Sequence, residues 1–326
     1  MQNNTLNNPW ETTTTNGPRV SVCIPVRNGA QFIGQAISSV LEQSYRDFEV
    51  IVIDNCSTDN TAALVCEMAL RDSRIHFFSN SHDLGSIGNL NRCLQYAHGS
   101  YVKYVLADDM LMPGCLNEMV RALDEQPSVV LVTAGRLIVD GAGRPLAQRH
   151  YSTKRAVVAG DKAIQRCLFG GNYLGEPTAV MFRRCDVTRE FSDEFVQLTD
   201  MKMWFHLLEC GDLMNIPEPL SIIRWHTGQL TNANVKSSVL VEDNIKLFEQ
   251  FRYKPYIKST FLLALQHRLL MSLRLWRSRN YLSDERRRFI TKHYSSRLAY
   301  YGLAPLASLI LCLLRYKMIH KRKFSN

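Results

Sequence analysis

Two adjacent acids, Asp108 and Asp109, directly follow the apolar run 101–107 and stand shortly before Pro113. A run rich in β-branched and aromatic residues predicts a buried strand, so both carboxylates would lie where that strand ends. Adjacent carboxylates repel each other unless a cation or a donor neutralises them, which suggests a hard divalent metal and, with it, a phosphate. The alternative is a helix cap, because Asp accepts the free N–H groups of a first turn and Pro113 suits that turn.

The elements that would position these acids alternate between strands and helices. Apolar patterns predict strands at 20–25, 48–53, 76–79 and 101–107, separated by helices at 32–42, 60–70 and 87–97. Such alternation is typical of an α/β fold with a doubly wound, mostly parallel sheet, and ligands bind where its strands end. Beyond residue 129 the alternation breaks down, with strands predicted at 129–133, 178–182 and 220–225, the second a candidate antiparallel strand, and helices at 161–169 and 200–210.

Composition narrows the class of protein. A chain of 326 residues that is 46% hydrophobic can bury one large core or two ordinary ones. Its nine cysteines are scattered without a C-x-x-C pair, which favours reduced thiols over a disulfide framework or a zinc site. The polar segment 1–18 has no apolar stretch of a secretory signal, so we expect a disordered tail and a cytoplasmic catalytic part.

Familiar phosphate-binding motifs are missing. The chain has no G-x-x-x-x-G-K-[ST], and no G-x-G-x-x-G follows the first strand, so P-loop and nicotinamide-type binding lose support. The first two predicted strands end instead in the polar turns Pro25-Val26-Arg27-Asn28 and Asp54-Asn55-Cys56-Ser57-Thr58-Asp59. Both turns would meet Asp108 and Asp109 at the same edge of the sheet.

These two turns, followed by Asp108-Asp109 and Pro113, resemble the nucleotide-binding half of family 2 glycosyltransferases, inverting enzymes of the GT-A fold that build bacterial surface polysaccharides. The resemblance covers roughly residues 18 to 230. It implies a nucleotide-sugar-binding half at 19–127 and an acceptor-binding half at 128–237 of one domain. It also implies a Mn²⁺ or Mg²⁺ cofactor and a nucleotide-diphospho-sugar donor, with UDP the expected nucleotide.

The site residues are implied by the same resemblance. The metal would lie on Asp109 and His226, the diphosphate on Arg224 in the Arg224-Trp225-His226 ending, and the general base would be Asp200, with Glu194 and Asp193 as substitutes. A helix cap is the alternative for Asp200. Nucleotide contacts would come from the turns and from the Asn- and Gly-rich segment 80–89, at Pro25, Val26, Asn28, Asp54, Asn55, Gly85, Asn89 and Asp108. In the Gly-rich loop 170–178, Asn172 and Glu176 could hold acceptor hydroxyls, although such a stretch is usually only a loop.

Three positions depart from the family pattern. Arg27 stands where the family usually has an aromatic residue, and Asn55 and Leu106 stand where it often has acids. The site is therefore less anionic than is usual in the family.

The C-terminal segment 238–326 reads as a helical, basic extension. Residues 250–326 carry 17 Lys and Arg against two acids, and 256–276 show a basic amphipathic pattern with apolar positions at Ile257, Phe261, Leu262, Leu265, Leu269, Leu273 and Trp276. The uncharged stretch 298–314 is slightly short for a bilayer span. A helical cap on the catalytic domain is one interpretation. We favour association with the inner face of the cytoplasmic membrane over binding of nucleic acid, because the segment has no nucleic-acid-binding motif.

The expected function is transfer of a sugar to a hydroxyl of a glycan or lipid-linked glycan. A nucleotidyltransferase can share the sheet, but it normally needs a Gly-rich basic loop after the first strand, and Arg27-Asn28-Gly29 is a poor version of one. A silent nucleotide-binding module is the third interpretation.

Overall fold

One ten-stranded sheet organises the part of the chain that the structure, a computed structural model, describes, namely residues 17–226 and 239–278. Along its main path the strand order is β3-β2-β1-β4-β9-β6-β10-β5, with β7 on β6 and β8 on β10. The strands are β1 (Val20–Val26), β2 (Phe48–Asp54), β3 (Ile75–Ser79), β4 (Tyr101–Tyr104), β5 (Met110–Leu111), β6 (Val129–Asp140), β7 (Pro145–Arg149), β8 (Ala156–Val158), β9 (Val180–Arg183) and β10 (Asp212–Trp225).

The first four long strands form the parallel part of the sheet. β2 pairs with both β1 and β3, and β1 also pairs with β4, all in parallel register. The crossover helices are α1 (Ile33–Leu41), α2 (Thr61–Arg71) and α3 (Gly85–Tyr96). β2 is buried along its whole length, as expected for a strand covered on both faces. The predicted alternation is therefore confirmed in this region.

The rest of the sheet is mixed. β9 runs antiparallel to both β4 and β6, while β10 runs parallel to β6 and antiparallel to β5. Parallel pairing is thus found within β1 to β4 and between β6 and β10, while β9 joins these two groups by antiparallel pairing with β4 and β6. The remaining helices of this region are α4 (Cys115–Glu125), α5 (Gly160–Gly170) and α6 (Thr199–Leu208), with short 3₁₀ turns at Pro177–Ala179 and Arg184–Asp186.

This topology gathers the polar turns at one edge. Two antiparallel steps, β4 to β9 and β9 to β6, make β6 and its parallel neighbour β10 run in the same direction as β1. The ends of β1, β2, β3, β4 and β10 therefore meet at one edge, which we call the carboxyl edge. A bulge bends β10 on the way, and Gly135 of β6 lies against it, where a Cβ would stand 2.4 Å from the carbonyl oxygen of Pro217.

Residues cluster into two compact units. The second unit contains residues 165–171 and 195–198 together with the helices α7 (Val239–Phe251) and α8 (Phe261–Ser278). Within it, the buried carboxylate of Asp243 accepts the backbone N–H groups of residues 196, 197 and 198 through Oδ2. His267 is buried there and stacks on Phe248, with ring centroids 3.8 Å apart.

Two predicted features lie outside the described residues. They are the stretch 298–314 and, except for residues 17 and 18, the polar tail 1–18. In the described parts of the chain, no helix combines the length and the apolar character needed to cross a bilayer. The eight cysteines within those parts are all free thiols.

Candidate active site

The turn after β4 places its two acids in different surroundings. Asp109 is only 2% exposed, and its two oxygens accept hydrogen bonds from the Thr178 hydroxyl at 2.6 Å and from the Arg224 backbone N–H at 3.0 Å. Burial, and next the adjacent charge of Asp108, raises the pKa of Asp109 well above the usual range of a carboxyl. The Asp108 side chain is 23% exposed. The pair therefore splits into one buried anchor and one accessible carboxylate.

Neither acid caps a helix. The residues that follow them form the short strand β5, and α4 begins only at Cys115, with Gly114 at its N-cap in the left-handed region at φ 79°. Gly114 provides no side-chain cap, and the first-turn N–H of Leu116 donates instead to Gln43 Oε1 at 3.2 Å. The capping interpretation of Asp108 and Asp109 is therefore wrong, because the chain first adds a strand to the sheet edge.

Thr178 and Lys103 hold the acidic turn in place through hydrogen bonds. The Thr178 hydroxyl donates to Asp109 and accepts the N–H of Leu106 at 3.0 Å, so it joins the two ends of the turn. The fully buried Lys103 ammonium donates to the carbonyl oxygens of Thr178 at 2.5 Å and Val180 at 3.2 Å. Burial lowers the pKa of Lys103, while the charge of Asp109 favours its protonated form. Lys103 on β4 thus fixes the backbone around Thr178, whose hydroxyl contacts Asp109.

Arg224 of β10 also contacts the acidic turn. Its guanidinium lies 4.5 Å above the ring of Phe32, and its donors reach the Asp108 carbonyl oxygen at 3.1 Å and Gln35 at 2.9 Å. The residue is only 4% exposed, and these contacts hold the acidic turn against α1. The predicted contact of Arg224 with a diphosphate stays a prediction.

Asp108 and His226 form the accessible pair of ionisable side chains. His226 Nε2 lies 3.1 Å from Asp108 Oδ2, and its ring packs against Phe32 with centroids 5.1 Å apart. A carboxylate and an imidazole are suitable ligands for Mn²⁺, and a Mg²⁺ or Mn²⁺ ion commonly completes its shell with substrate phosphates and water. Among the described residues no cluster of three or more His, Cys, Asp or Glu side chains could hold a metal. The two residues therefore fit an ion that is shared with a ligand.

The turns after β1 and β2 are joined by side-chain hydrogen bonds. Asn28, at φ 52°, accepts the N–H of Thr58 at 2.8 Å, and its own N–H donates to the Ser57 hydroxyl at 2.8 Å. Asp54 is 4% exposed and accepts both the N–H and the hydroxyl of Ser57. Asp59 accepts the N–H of Thr61, the first residue of α2, as expected for a residue that begins a helix. Asn28 is exposed on this surface.

Asn55 and Asn89 form the interior of the neighbouring turn. Asn80 donates to the side-chain oxygens of both, each at 3.0 Å. Asn55 also donates to Asp83 at 2.7 Å, and Asn89 donates to the Ile53 carbonyl oxygen at 3.1 Å. Both are at most 3% exposed, and the Val26 side chain belongs to the apolar core. In the structure the side chains of Asn55 and Asn89 shape the loops, and the nucleotide contacts predicted for Val26, Asn55 and Asn89 stay a prediction.

The same network explains the departures from the family pattern in this region. Arg27, in the place of an aromatic residue, pairs with Asp83, which also accepts the N–H of Gly85 at 2.8 Å. Gly85 begins α3 at φ 69° and is exposed. Pro25, Asn28 and Gly85 thus remain positioned to contact a ligand at the carboxyl edge.

A cavity of about 820 Å³ adjoins the start of α3. Its walls are residues 84–88 of the α3 turn, Asn91, the loop 189–194, and Lys202 and Met203 of α6. Asn91 holds the loop by two hydrogen bonds with the backbone of Phe191, at 3.0 and 2.7 Å. Asp193 and Glu194, the predicted substitutes for the base, lie in this wall.

Asp200 lies in the first turn of α6, the helix that forms one wall of the cavity. It is half-buried, and its Oδ1 accepts the N–H of Met201 at 2.7 Å. Three residues connect α6 to the start of β10, so the first turn of α6 is directed toward the carboxyl edge. Asp200 thus stabilises a helix terminus, Lys202 and Met203 of the same helix line the cavity, and the role of Asp200 as the base stays a prediction.

The Gly-rich loop has its own internal partners. Asn172 accepts the N–H of Gly175 at 2.8 Å, so its side-chain oxygen closes the loop. The carboxylate of Glu176 pairs with the guanidinium of Arg136 at 2.6 Å. Arg136 is 2% exposed whereas the Glu176 side chain is 29% exposed, so Glu176 stays accessible while its orientation is fixed. Both predicted acceptor residues are half-buried, and their role in holding acceptor hydroxyls stays a prediction.

Sequence reasoning missed five residues of this site, namely Phe32, Gln35, Lys103, Arg136 and Thr178. Lys103 had a usable signal, because a lone lysine inside an apolar strand must be buried together with an acceptor. The roles of the others depend on partners far along the chain, and no local pattern marks them.

A mixed sheet that presents an acidic turn, a histidine and two polar turns at one edge defines a GT-A type glycosyltransferase. The family model for Glycosyl transferase family 2 matches residues 21–189. The chain belongs to glycosyltransferase family 2 and is an enzyme of glycosyl transfer.

Relatives and solved structures agree with this assignment. An uncharacterized protein of Mycobacterium tuberculosis, MT1568, is 32% identical over 238 residues, which cover 68% of this chain and 71% of the relative. UDP-Glc:alpha-D-GlcNAc-diphosphoundecaprenol beta-1,3-glucosyltransferase WfgD of Escherichia coli is 28% identical, covering 60% of this chain and 72% of WfgD.

The solved structures share the fold. TarS 1–349 of S. aureus in complex with UDP-GlcNAc is 16% identical with a TM-score of 0.55, covering 88% of this chain and 90% of TarS 1–349. Mannosyltransferase PcManGT of Pyrobaculum calidifontis, in complex with GDP-Man and Mn2+, is 18% identical with a TM-score of 0.55, covering 91% of this chain and 81% of PcManGT. The predicted GT-A fold class is confirmed.

Proposed function

We propose that the protein transfers a sugar, with inversion, from a UDP-linked donor to a hydroxyl group of a lipid-linked or growing glycan. The observation that carries the proposal is the accessible Asp108–His226 pair, 3.1 Å apart at the carboxyl edge of a family 2 glycosyltransferase. The name of WfgD, a UDP-Glc-dependent enzyme with a diphosphoundecaprenol acceptor, supports the choice of donor and acceptor.

Asp108 and His226 would hold the divalent ion, which supplies positive charge to a departing diphosphate when it is bound. We prefer Asp108 to Asp109 for this role because Asp109 is 2% exposed and already accepts two hydrogen bonds. Thr178, Lys103 and Arg224 keep the turn in place, so that Asp108 is orientated before a ligand arrives. Pro25, Asn28 and Gly85 remain the proposed nucleotide contacts, and the buried Asp54 would shape their turn through Ser57.

Asp200 is the proposed general base. It would take the proton of the acceptor hydroxyl while the oxygen attacks the anomeric carbon and the bond from that carbon to the diphosphate oxygen breaks. We place the acceptor at the cavity between α3 and α6, because Lys202 and Met203, on the helix that carries Asp200, form part of its wall. Glu176, with its orientation fixed by Arg136, is a further candidate for holding acceptor hydroxyls.

We also propose that the enzyme works at the inner face of the cytoplasmic membrane. A lipid-linked acceptor requires access to a bilayer surface, and residues 250–326 carry 17 basic residues and two acids.

Three single substitutions test the chemistry after a panel of nucleotide sugars has identified the donor by its hydrolysis. Asp200→Asn should lower transfer by at least about 100-fold while leaving UDP affinity unchanged, because it removes only the base. Asp108→Asn should abolish the gain in UDP affinity that Mn²⁺ provides in calorimetry. Asp193→Asn, in the same cavity, serves as the control and should stay within a few-fold of the native rate. Native turnover in Asp200→Asn would rule out its assignment as base.

A further inference from the structure

The first turns of α8 and the loop before it expose several large apolar side chains. Phe261 is 81% exposed, Leu262 74%, and Tyr253 75%. Leu265 is exposed one turn further along α8. In contrast, Ile257, Leu269 and Met271 of the same amphipathic segment are buried. The structure therefore divides the predicted apolar pattern into a buried side and an exposed side.

The exposed side lies in a basic stretch of chain. Residues 250–278 contain six Lys and Arg and no acid. Lys254 and Lys258, in the loop between α7 and α8, are exposed near the apolar side chains in sequence. Large exposed apolar groups on a monomer usually mark an interaction site, and the absence of acids indicates a negatively charged partner.

We propose that this surface docks on an anionic lipid bilayer. We call it the α8 patch, defined as Tyr253, Lys254, Lys258, Phe261, Leu262 and Leu265. The aromatic and leucine side chains would enter the boundary between headgroups and acyl chains, where such residues are favoured, and the lysines would reach lipid phosphates. The inference extends the proposed membrane association by assigning its contact surface, and it requires no residue of the active site.

A bilayer fits these observations better than a protein partner. The patch is a short helical turn and a loop in which exposed lysines and exposed large apolar residues lie close in sequence, a combination that is typical of interfacial membrane anchors. Chain beyond residue 278 supplies eleven more basic residues, so further electrostatic contact with the same surface is available.

Vesicle sedimentation with the full chain tests the proposal. The probes are vesicles of phosphatidylcholine alone and vesicles of equal parts phosphatidylcholine and phosphatidylglycerol. Native protein should bind the anionic vesicles and lose binding in high salt. The double variant Phe261→Ser and Leu262→Ser should partition at least about tenfold more weakly, because two large apolar groups no longer enter the lipid. Lys254→Gln with Lys258→Gln should weaken binding to anionic vesicles by a similar factor.

The matched control is Leu70→Ser, because Leu70 is an apolar residue of α2 that is 89% exposed. This variant should bind vesicles like the native protein, and donor hydrolysis in all variants should remain native. That readout separates the docking surface from the proposed chemistry. The inference is overturned if native protein does not bind anionic vesicles, or if the patch variants bind as tightly as Leu70→Ser. It is also overturned if the variants lose only self-association in sedimentation velocity, since the patch would then join two copies of the chain.

Discussion

Replacement of Thr178 by Val tests whether the acidic turn is held by its buried network. Valine keeps the shape of threonine but removes the hydroxyl that donates to Asp109 at 2.6 Å and accepts the N–H of Leu106 at 3.0 Å. A hydrogen bond to a charged group contributes about 1.5–3 kcal/mol, and a buried N–H left without an acceptor costs about 1–3 kcal/mol. Thr178→Val should therefore destabilise the protein by roughly 3–5 kcal/mol, a large share of a typical total stability.

The same change should act on ligand binding. With Asp109 released from Thr178, Asp108 is no longer fixed beside His226, so the Mn²⁺-dependent gain in UDP affinity should fall by about tenfold or more. Urea unfolding measures the first effect, and calorimetry with UDP, with and without Mn²⁺, measures the second. Affinity for UDP without metal should change little.

Two control variants test whether the effect depends on the Thr178 hydroxyl. Thr178→Ser keeps the hydroxyl and should retain the metal effect, with a stability loss below about 1.5 kcal/mol for the missing methyl group. Thr133→Val removes another buried hydroxyl of the sheet, which donates to the Leu174 carbonyl oxygen, and should lower stability without altering the metal effect. If Thr178→Val and Thr133→Val behave alike in calorimetry, Thr178 does not position the acidic turn.

Two further predictions concern stability. Burial lowers the pKa of His267 to about 4. An unfolded histidine titrates near 6.5, so the contribution of the buried neutral imidazole to the free energy of unfolding is fully present above about pH 6.5. As the pH falls toward 4, the unfolded state takes up a proton that the folded state does not, and the free energy of unfolding falls by up to about 3 kcal/mol. The free energy of unfolding of the native protein should fall in this way between pH 6.5 and 4, and that of His267→Phe should lack this fall. An equal dependence on pH in the two proteins would contradict the prediction. Gly135→Ala should destabilise by about 2 kcal/mol or more, because its Cβ would meet the Pro217 carbonyl oxygen at 2.4 Å. At Gly34 on α1, a new Cβ would have no atom within 4 Å, so Gly34→Ala should instead stabilise the protein by up to about 1 kcal/mol. The midpoints of urea unfolding measure both changes in stability.

Much of the fold could be predicted from local patterns. The predicted helices at 32–42 and 60–70 are observed as α1 (Ile33–Leu41) and α2 (Thr61–Arg71), because apolar periodicity follows directly from which face packs on the sheet. β7 and β8 were not predicted. β7 is exposed along its length and β8 over most of it, so neither carries an apolar pattern.

The candidate site could be predicted only as a list of residue types. Asp108 and Asp109 are equivalent in the sequence, yet Asp109 is made a buried anchor by Thr178 and Arg224, which lie 69 and 115 residues further along the chain. Arg224 was predicted to contact a diphosphate. Only the structure shows that its guanidinium also contacts Phe32 and Gln35, nearly two hundred residues away.

By itself, the sequence determined which segments are strands and helices, that the polar turns end parallel strands, and that acids and a histidine are available there. Periodicity and turn chemistry are local properties, so they can be read from neighbouring residues. Only the tertiary structure decided that β9 enters the sheet antiparallel, that Asn55 and Asn89 face inward, and that Asp108 rather than Asp109 is accessible. Burial and hydrogen-bond partners arise from contacts between distant segments, and these contacts determine which of two adjacent carboxylates can meet a ligand.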